Sequence, residues 1–218
     1  MKQARSKKPR VKKSKNDIEK IRHSLSHLLA AAVLQLYPNV KLGIGPTIEN
    51  GFYYDFDFGK TKIDESLLPK LEKMMKDLIG RNLKFKKEIV SYARAKKIFR
   101  NQPYKLELLE EFKKQKKPLT IYRTLYGQKE VFVDLCAGPH VASTKIIDKE
   151  SFKLEKLAGA YWKGDEKKAM LTRIYGLAFH TKEELDDYLH LLDESKKRDH
   201  RAIGQQMDLF SFHEEFGP

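Results

Sequence analysis

The stretch from Asp17 to Pro38 constrains the fold more than any other part of the sequence. Its apolar residues recur at helical spacing on two flanks, so the predicted helix must be wrapped by other structure. His23 and His27 lie four residues apart, on one face and one turn above the other. Asn16 or Asp17 can cap the start, and Pro38 ends the helix. The histidines are either buried side chains bonded to carbonyls or water, or part of a site.

Strand-like runs alternate with helical ones in the rest of the chain. An Asn50-Gly51 pair before alternating aromatic residues is typical of a β-hairpin with a tight turn. Two further β-like runs flank Gly127 and predict a second hairpin that ends near Cys136. Leucines and methionines at helical spacing predict a helix that ends before Gly80. Because hairpins pair antiparallel strands, the sequence predicts an α+β fold.

Three local signals complete this outline. Residues 82–90 form another predicted strand, with Leu83, Phe85 and Ile89 as its apolar positions, and Ser91 can cap a short basic helix after it. No glycine-rich nucleotide-binding motif is completed, so a nucleotide-binding fold is not expected. The aromatic pair at 161–162 could stack on a nucleobase, but core packing is favoured.

Charge is unevenly distributed along the 218 residues. The chain carries 44 Lys and Arg against 30 Asp and Glu, a net charge of +14, and residues 1–16 contain eight of the basic residues and no acid. That segment is predicted to be a disordered basic tail, which either raises affinity for polyanions or only aids solubility. One cysteine excludes an internal disulfide and favours a reducing, cytoplasmic setting. No apolar run approaches the ~18 residues of a membrane span.

The segment DLCAGPHV is the second informative stretch. A Gly-Pro turn between Cys136 and His140 lets both side chains point into one cavity. With the helical histidine pair, these residues could hold tetrahedral zinc. Four protein ligands would leave no position for a catalytic water, so such a metal would be structural or only partly protein-coordinated. The alternative is a metal-free hydrolytic pocket in which Asp134 orients a histidine.

Five sequence blocks follow one another along the chain: HSLSHLLAAAV, IGPTIENGFYYDF, VDLCAGPHV, LAGAYWKGDEKKAMLTRIYGLAF and KKRDHRAIGQQMDLF. In this order they resemble the N-terminal editing region and connecting helix of bacterial-type threonyl-tRNA synthetase. The resemblance extends from residue 17 to residue 218, and a related editing module occurs in alanyl-tRNA synthetase. The last two blocks favour the threonyl family.

The resemblance implies a fold of antiparallel sheets around a long central helix. It implies that the cleft beside this helix hydrolyses the ester of serine mischarged onto threonine tRNA, so that the partner is the aminoacylated 3′ end of tRNA. No cofactor is required by this chain; zinc could bind the four-residue cluster. ATP and a second zinc belong to the synthetic core, and a homodimer is implied for full-length members. The implied site residues are His23, His27, Lys105, Asp134, Cys136 and His140.

Each site residue receives a hypothetical role from the resemblance. Lys105 is expected to place a cation near the ester or ribose oxygens, and His23 to position water or act as its base. His27, His140 and Asp134 are expected to orient the site. Cys136 is expected to be a contact residue and not a nucleophile. A second sieve suits the problem, because one methyl group supplies only about 1–3 kcal/mol of discrimination.

The predicted domain organisation has three parts. Residues 1–16 are the basic tail, in place of a small ubiquitin-like domain, and residues 17–179 are the editing domain. Residues 180–218 are expected to form a linker helix that leads to a class II aminoacylation core not included in this chain. Ala137 departs from the larger, often basic residue that the family motif has there. Two alternatives stay open: a non-catalytic tRNA-binding or zinc-stabilised appendage, and a free-standing editing factor.

Overall fold

The computed structural model describes residues 15–198 and contains two antiparallel sheets and five helices in that range. The helices are α1 (Lys15–Leu36), α2 (Leu67–Gly80), α3 (Tyr92–Ile98), α4 (Pro103–Lys114) and α5 (Lys182–Lys197). The strands are β1 (Lys41–Leu42), β2 (Thr47–Ile48), β3 (Gly51–Asp57), β4 (Lys84–Ile89), β5 (Thr120–Tyr126), β6 (Lys129–Leu135), β7 (Phe152–Tyr161) and β8 (Met170–Ala178).

The first sheet has the order β1-β3-β8-β7, with β2 also paired to β3, and the second has the order β4-β5-β6. Every pairing is antiparallel, which confirms the predicted α+β class. The turn between β2 and β3 lies at Glu49 and Asn50, one residue before the predicted position, because Gly51 already pairs with Ile48 in the sheet. Gly127 forms the second turn, with a φ of +59° that favours glycine.

Helix α1 begins at Lys15, two residues before the predicted start. Asp17 therefore lies in the first helical turn, where a negative charge is favourable, and does not cap the helix. The helix contacts α2, strands β2, β3 and β8 of the first sheet, and β6 of the second. Arg22 fixes it in place, because its Nε donates to the Ala178 carbonyl at 3.0 Å and its Nη1 donates to the Glu49 carbonyl.

The second sheet has a different layer on each face. One face packs on α3 and α4 through a small apolar cluster that includes Ile121, Leu135 and Leu109. The other face meets α1, where the Phe132 ring lies against His27 at a centroid distance of 5.5 Å. Helix α4 was not predicted from the sequence. This second sheet is the element that brings the end of β6 to α1.

Two helices begin at hydroxyl caps, and the cap at Ser91 is the one predicted from the sequence. Ser91 accepts from the Arg94 backbone at 3.3 Å and begins α3, as predicted. Thr181 accepts from the Glu184 backbone at 3.3 Å before α5. Residues 1–14 of the basic tail, and the continuation of the linker helix beyond residue 198, lie outside the described residues. Within residues 15–198, no helix has both the length and the apolar character needed to cross a bilayer.

Candidate active site

The loop after β6 carries one half of the site. Asp134 is the last but one residue of the strand, and Cys136 follows the strand directly. Gly138 has a φ of +78°, and a Cβ added there would lie 2.3 Å from the Tyr122 hydroxyl oxygen. Only glycine fits such a position without strain. The loop therefore folds back over the sheet and returns His140 to the same cluster.

The ring protonation of two histidines follows from their hydrogen bonds. Ser24 donates its hydroxyl proton to the Lys20 carbonyl at 2.8 Å, so it can only accept from His140 Nδ1 at 3.2 Å. His23 Nδ1 donates in the same way to the Pro139 carbonyl at 3.1 Å. Both rings therefore carry their proton on Nδ1 and keep a lone pair on Nε2.

Both of these lone pairs point at the Cys136 sulfur. The Nε2 to Sγ distance is 3.2 Å for His23 and 3.3 Å for His140. The Gly138 backbone also donates to the sulfur, at 3.2 Å. Since a thiol has one hydrogen, it can satisfy only one imidazole lone pair at a time. The arrangement suits a shared proton, a bound water or a metal ion.

His27 joins the cluster from one turn further along α1. The residue is 2% exposed, and its Nε2 lies 3.7 Å from Asp134 Oδ2. Its Nδ1 is buried and has no hydrogen-bond partner among the residues described. A buried polar atom of this kind costs about 1–3 kcal/mol when nothing binds it.

The buried ion pair of Lys105 and Asp134 supports the cluster. Lys105 comes from α4, is 1% exposed, and places its Nζ 2.5 Å from Asp134 Oδ1. The Tyr54 hydroxyl donates to the other carboxylate oxygen at 2.7 Å, and the Leu135 backbone donates to Oδ1 at 2.8 Å. The carboxylate is thus bonded on both oxygens, which is the condition under which a buried charge is tolerated.

Contacts on either side of Lys105 fix the position of α4. The Tyr104 hydroxyl donates to Asp57 at 2.6 Å, and the Glu107 carboxylate accepts from the Trp162 indole at 2.8 Å. Glu107 also accepts from Lys163 and Lys168, each at 2.9 Å. Burial alone would raise the pKa of Glu107, but these three donors lower that pKa to about 2. Trp162 is buried, as core packing of the aromatic pair predicts, but its neighbour Tyr161 is 44% exposed and does not follow that prediction.

Burial keeps the three histidines and the cysteine uncharged. It lowers the pKa of His23, His27 and His140 below the ordinary value. Repulsion between neighbouring imidazoles, should they take up protons, lowers the pKa of His27 and His140 further, and the Lys105 charge adds to this for His27. Burial is also the main reason why the pKa of Cys136 is raised to about 12, with the Asp134 charge adding to it. The cluster is therefore composed of neutral imidazoles and a thiol at neutral pH. This favours a contact role for the sulfur over nucleophilic attack, which requires the thiolate.

A cleft of about 510 Å³ opens above the cluster. Five of the six predicted site residues line it, together with Glu19 at its rim and residues 44–47 on the opposite wall. His140 lies behind the sulfur, with its ring stacked on Phe85 at 5.1 Å and against Tyr122 at 4.4 Å. The structure thus brings all six predicted residues together around one point. Their chemical roles remain predictions.

The donor set fits a metal ion. One ligand atom from each of His23, His27, Cys136 and His140 lies within 4.8 Å of the others. Imidazole nitrogens and sulfur are preferred by zinc, and the partners of the rings resemble the outer contacts that orient metal-binding histidines. The unpartnered nitrogen of His27 adds a buried atom that a ligand would satisfy. The cluster is therefore compatible with the zinc considered from the sequence.

Sequence reasoning missed two residues that orient the site. Tyr54 holds Asp134, and its only signal is a position in the alternating aromatic run of β3. Ser24 sets the protonation of His140 and accepts from the Val141 backbone at 3.1 Å. It stands directly after His23 in HSLSH, where a small polar residue gives no signal by itself.

Comparison with known proteins supports the motifs. The family described as Threonyl and Alanyl tRNA synthetase second additional domain matches residues 124–175. A threonine–tRNA ligase of Thermotoga maritima is 52% identical over 199 residues, which cover 90% of this chain and 30% of that protein. The enzyme of the same name from Borreliella burgdorferi is 49% identical, over 91% of this chain and 33% of its own length. This chain spans about a third of these relatives, and the resemblance predicted from the motifs is confirmed.

Proposed function

We propose that this chain, a relative of the threonine–tRNA ligases that carries their second additional domain, hydrolyses the ester of serine mischarged onto threonine tRNA. The observation that supports this most is the convergence of two imidazole lone pairs on Cys136, at the base of an open cleft and beside a buried ion pair. Neutral imidazoles next to a cation are the groups that ester hydrolysis requires.

In the proposed reaction, His23 is the base. Its Nδ1 proton is held by the Pro139 carbonyl, so Nε2, which lies 3.2 Å from the Cys136 sulfur, keeps the lone pair that accepts a proton from water. The water oxygen attacks the ester carbonyl carbon, and its proton passes to this Nε2. The bond to the ribose oxygen then breaks, and that oxygen takes the proton from the imidazolium. Serine and the free ribose hydroxyl are the products.

Lys105 supplies the positive charge in this scheme. Its ammonium is fixed by Asp134 and lines the cleft, and it has two further N–H donors for the ester or ribose oxygens. A fixed cation in a buried site stabilises negative charge on the carbonyl oxygen without having to reorganise. His27 and His140 orient the cluster, and Cys136 contacts the substrate as a neutral thiol.

A zinc-stabilised site is the second candidate, and the unpartnered His27 Nδ1 is the observation that favours it. His23, His27, Cys136 and His140 would hold the ion. When bound, zinc would supply a Lewis acid for a carbonyl or a structural crosslink. A tRNA-binding appendage without turnover belongs to the same alternative.

The larger protein is also a matter of proposal. We infer a parent enzyme that attaches threonine to tRNA with ATP and acts as a cytoplasmic homodimer, in which residues 17–179 edit and residues 180–218 connect to the synthetic core. We also infer that α1 is the central helix of the editing fold. Its contacts with both sheets and with α2 support this.

Deacylation of two charged tRNAs tests the function. The purified chain is incubated with serine-charged and with threonine-charged threonine tRNA, and release of the labelled amino acid is followed. We expect selective hydrolysis of the serine ester, and a His23→Ala variant slower by about 10²-fold or more. His190→Ala, on the remote helix α5, is the matched control and should retain full rate. Binding of tRNA without turnover by the unmodified chain would exclude the hydrolase and favour the appendage.

A further inference from the structure

The face of the second sheet that carries the site continues outward to the edge strand β4. Cys136 donates its backbone N–H to the Thr120 carbonyl at 3.1 Å, and Thr120 pairs with Ile89 on β4. Two residues further along β5, on the same face, Tyr122 pairs with Asp134 on one side and with Lys87 on the other. Since strands lie about 4.8 Å apart, Ile89 and Lys87 (the outer residues) stand about 10 Å from the site.

The outer residues of these rows face solvent. Ile89 is 75% exposed although its position in the strand is apolar. Lys87 is exposed and forms no ion pair within residues 15–198. On the other face of the same strand, Glu88 pairs with Arg94 and Arg123 at 2.7 and 2.8 Å. The face that carries the site thus presents an unpaired positive charge at Lys87.

A second, smaller cleft adjoins the first at residues 135–137 and extends to Thr120, the β5 partner of Ile89. It measures about 230 Å³, is mostly apolar, and is lined by Phe112, Pro118 and Thr120, with Lys117 at its margin. It shares Ala137 and its two preceding residues with the main cleft, so the two clefts adjoin at this segment.

We infer that this surface, formed by Lys87, Ile89, Thr120, Lys117 and the smaller cleft, binds the single-stranded nucleotides that precede the terminal adenosine of the tRNA. The inference rests on the proposed function, because an ester held at Cys136 must be joined to a nucleotide chain that leaves the cleft. Glu19, which also lines the main cleft, carries a negative charge that repels phosphate.

The chemistry of the surface matches a single strand. Lysines without acidic partners attract phosphates, and exposed apolar side chains accept the faces of bases irrespective of their sequence. Such a surface would raise the affinity for tRNA without taking part in the reaction. Lys87 and Ile89 are therefore binding residues in this proposal.

A binding assay that does not depend on activity is the first test. Anisotropy of a labelled RNA oligonucleotide ending in CCA is measured with the unmodified chain and with the Lys87→Ala, Ile89→Ser and Lys86→Ala variants. Lys86 pairs with Arg123 in the register and so lies on the opposite face of β4, which makes it a matched control. We expect about fivefold weaker binding for each of the first two variants. The salt dependence should fall by about 0.7 for Lys87→Ala. Equal effects at Lys86 and Lys87, or no effect at either, would overturn the inference.

Hydrolysis of two substrates of different length is the second test. Lys87→Ala should lower kcat/KM on seryl-tRNA and leave hydrolysis of seryl-adenosine, which lacks the preceding nucleotides, unchanged. An equal loss on both would place Lys87 at the ester and overturn the inference. If the unmodified chain hydrolyses neither substrate but binds RNA through Lys87, the surface stands and the proposed function fails.

Discussion

Replacing Lys105 by Met removes the cation but keeps the length of its stem, and it leaves the Asp134 carboxylate buried. That carboxylate would retain only the Tyr54 hydroxyl at 2.7 Å and the Leu135 backbone at 2.8 Å, both neutral donors. Both partners of the pair are almost fully buried. Removing one partner of such a pair costs about 3–5 kcal/mol of unfolding free energy.

A double-mutant cycle with Asp134→Asn isolates the interaction. Asp134→Asn alone strands the Lys105 ammonium and should cost a similar amount. The double variant buries no charge, and its amide oxygen still accepts from Tyr54, so its loss should be well below the sum of the two. We expect a coupling energy of about 2 kcal/mol or more, measured by urea unfolding of all four proteins.

Additive losses would refute this reasoning, because they would show that the two charges do not act as a unit. Deacylation by the same four proteins separates stability from function. The double variant should recover much of the stability and none of the rate, since it lacks the cation. A double variant with the normal rate on seryl-tRNA would remove Lys105 from the proposed mechanism.

Three further predictions concern the loop, α4 and the metal. Gly138→Ala should cost about 1–3 kcal/mol, because it strains a positive φ and drives a Cβ into the Tyr122 hydroxyl. Thermal unfolding measures this, and Tyr122→Phe should relieve only a small part of the loss, because ring carbons Cζ and Cε2 of residue 122 would still lie 2.7 and 2.8 Å from the added Cβ. The pKa of Glu107 is about 2, so its carboxylate stabilises the fold above pH 4.5 and loses that effect as pH falls towards 2. The stability gap between unmodified protein and Glu107→Gln should therefore narrow from pH 6 to pH 3 in urea unfolding. Added zinc should raise the Tm of the unmodified protein and not that of His27→Ala; an unchanged Tm would exclude the metal.

Local chemistry explains which parts of the fold are predictable. The turn at Gly127 and the cap at Ser91 depend on neighbouring residues only, and both were predicted correctly. Helix α4 was missed because its apolar residues, including Leu109, pack on a cluster that exists only once β5 and β6 pair. Ile89 has a strand-like apolar position and yet is exposed. Its exposure could not be predicted, because the sequence does not show that β4 is an edge strand.

The site likewise has parts that follow from local sequence and parts that depend on how distant segments pack. Helical spacing alone places His23 and His27 on one face, and a strand end places Asp134 near Cys136. That these two segments meet depends on how the second sheet packs on α1. The proton positions depend further on Ser24, which accepts from a ring 116 residues away. Such contacts carry no periodicity, so the electronic state of the cluster could not be predicted.

The hydrogen bond from Arg22 to the Ala178 carbonyl bears on how such a module can be inherited. Within residues 15–198, the first helix and the last strand are joined by a 3.0 Å hydrogen bond, so the start and the end of the module lie close together. A unit whose entry and exit are adjacent can be inserted beside another domain without separating that domain's own segments. Such a module can therefore pass between proteins as one contiguous genetic segment.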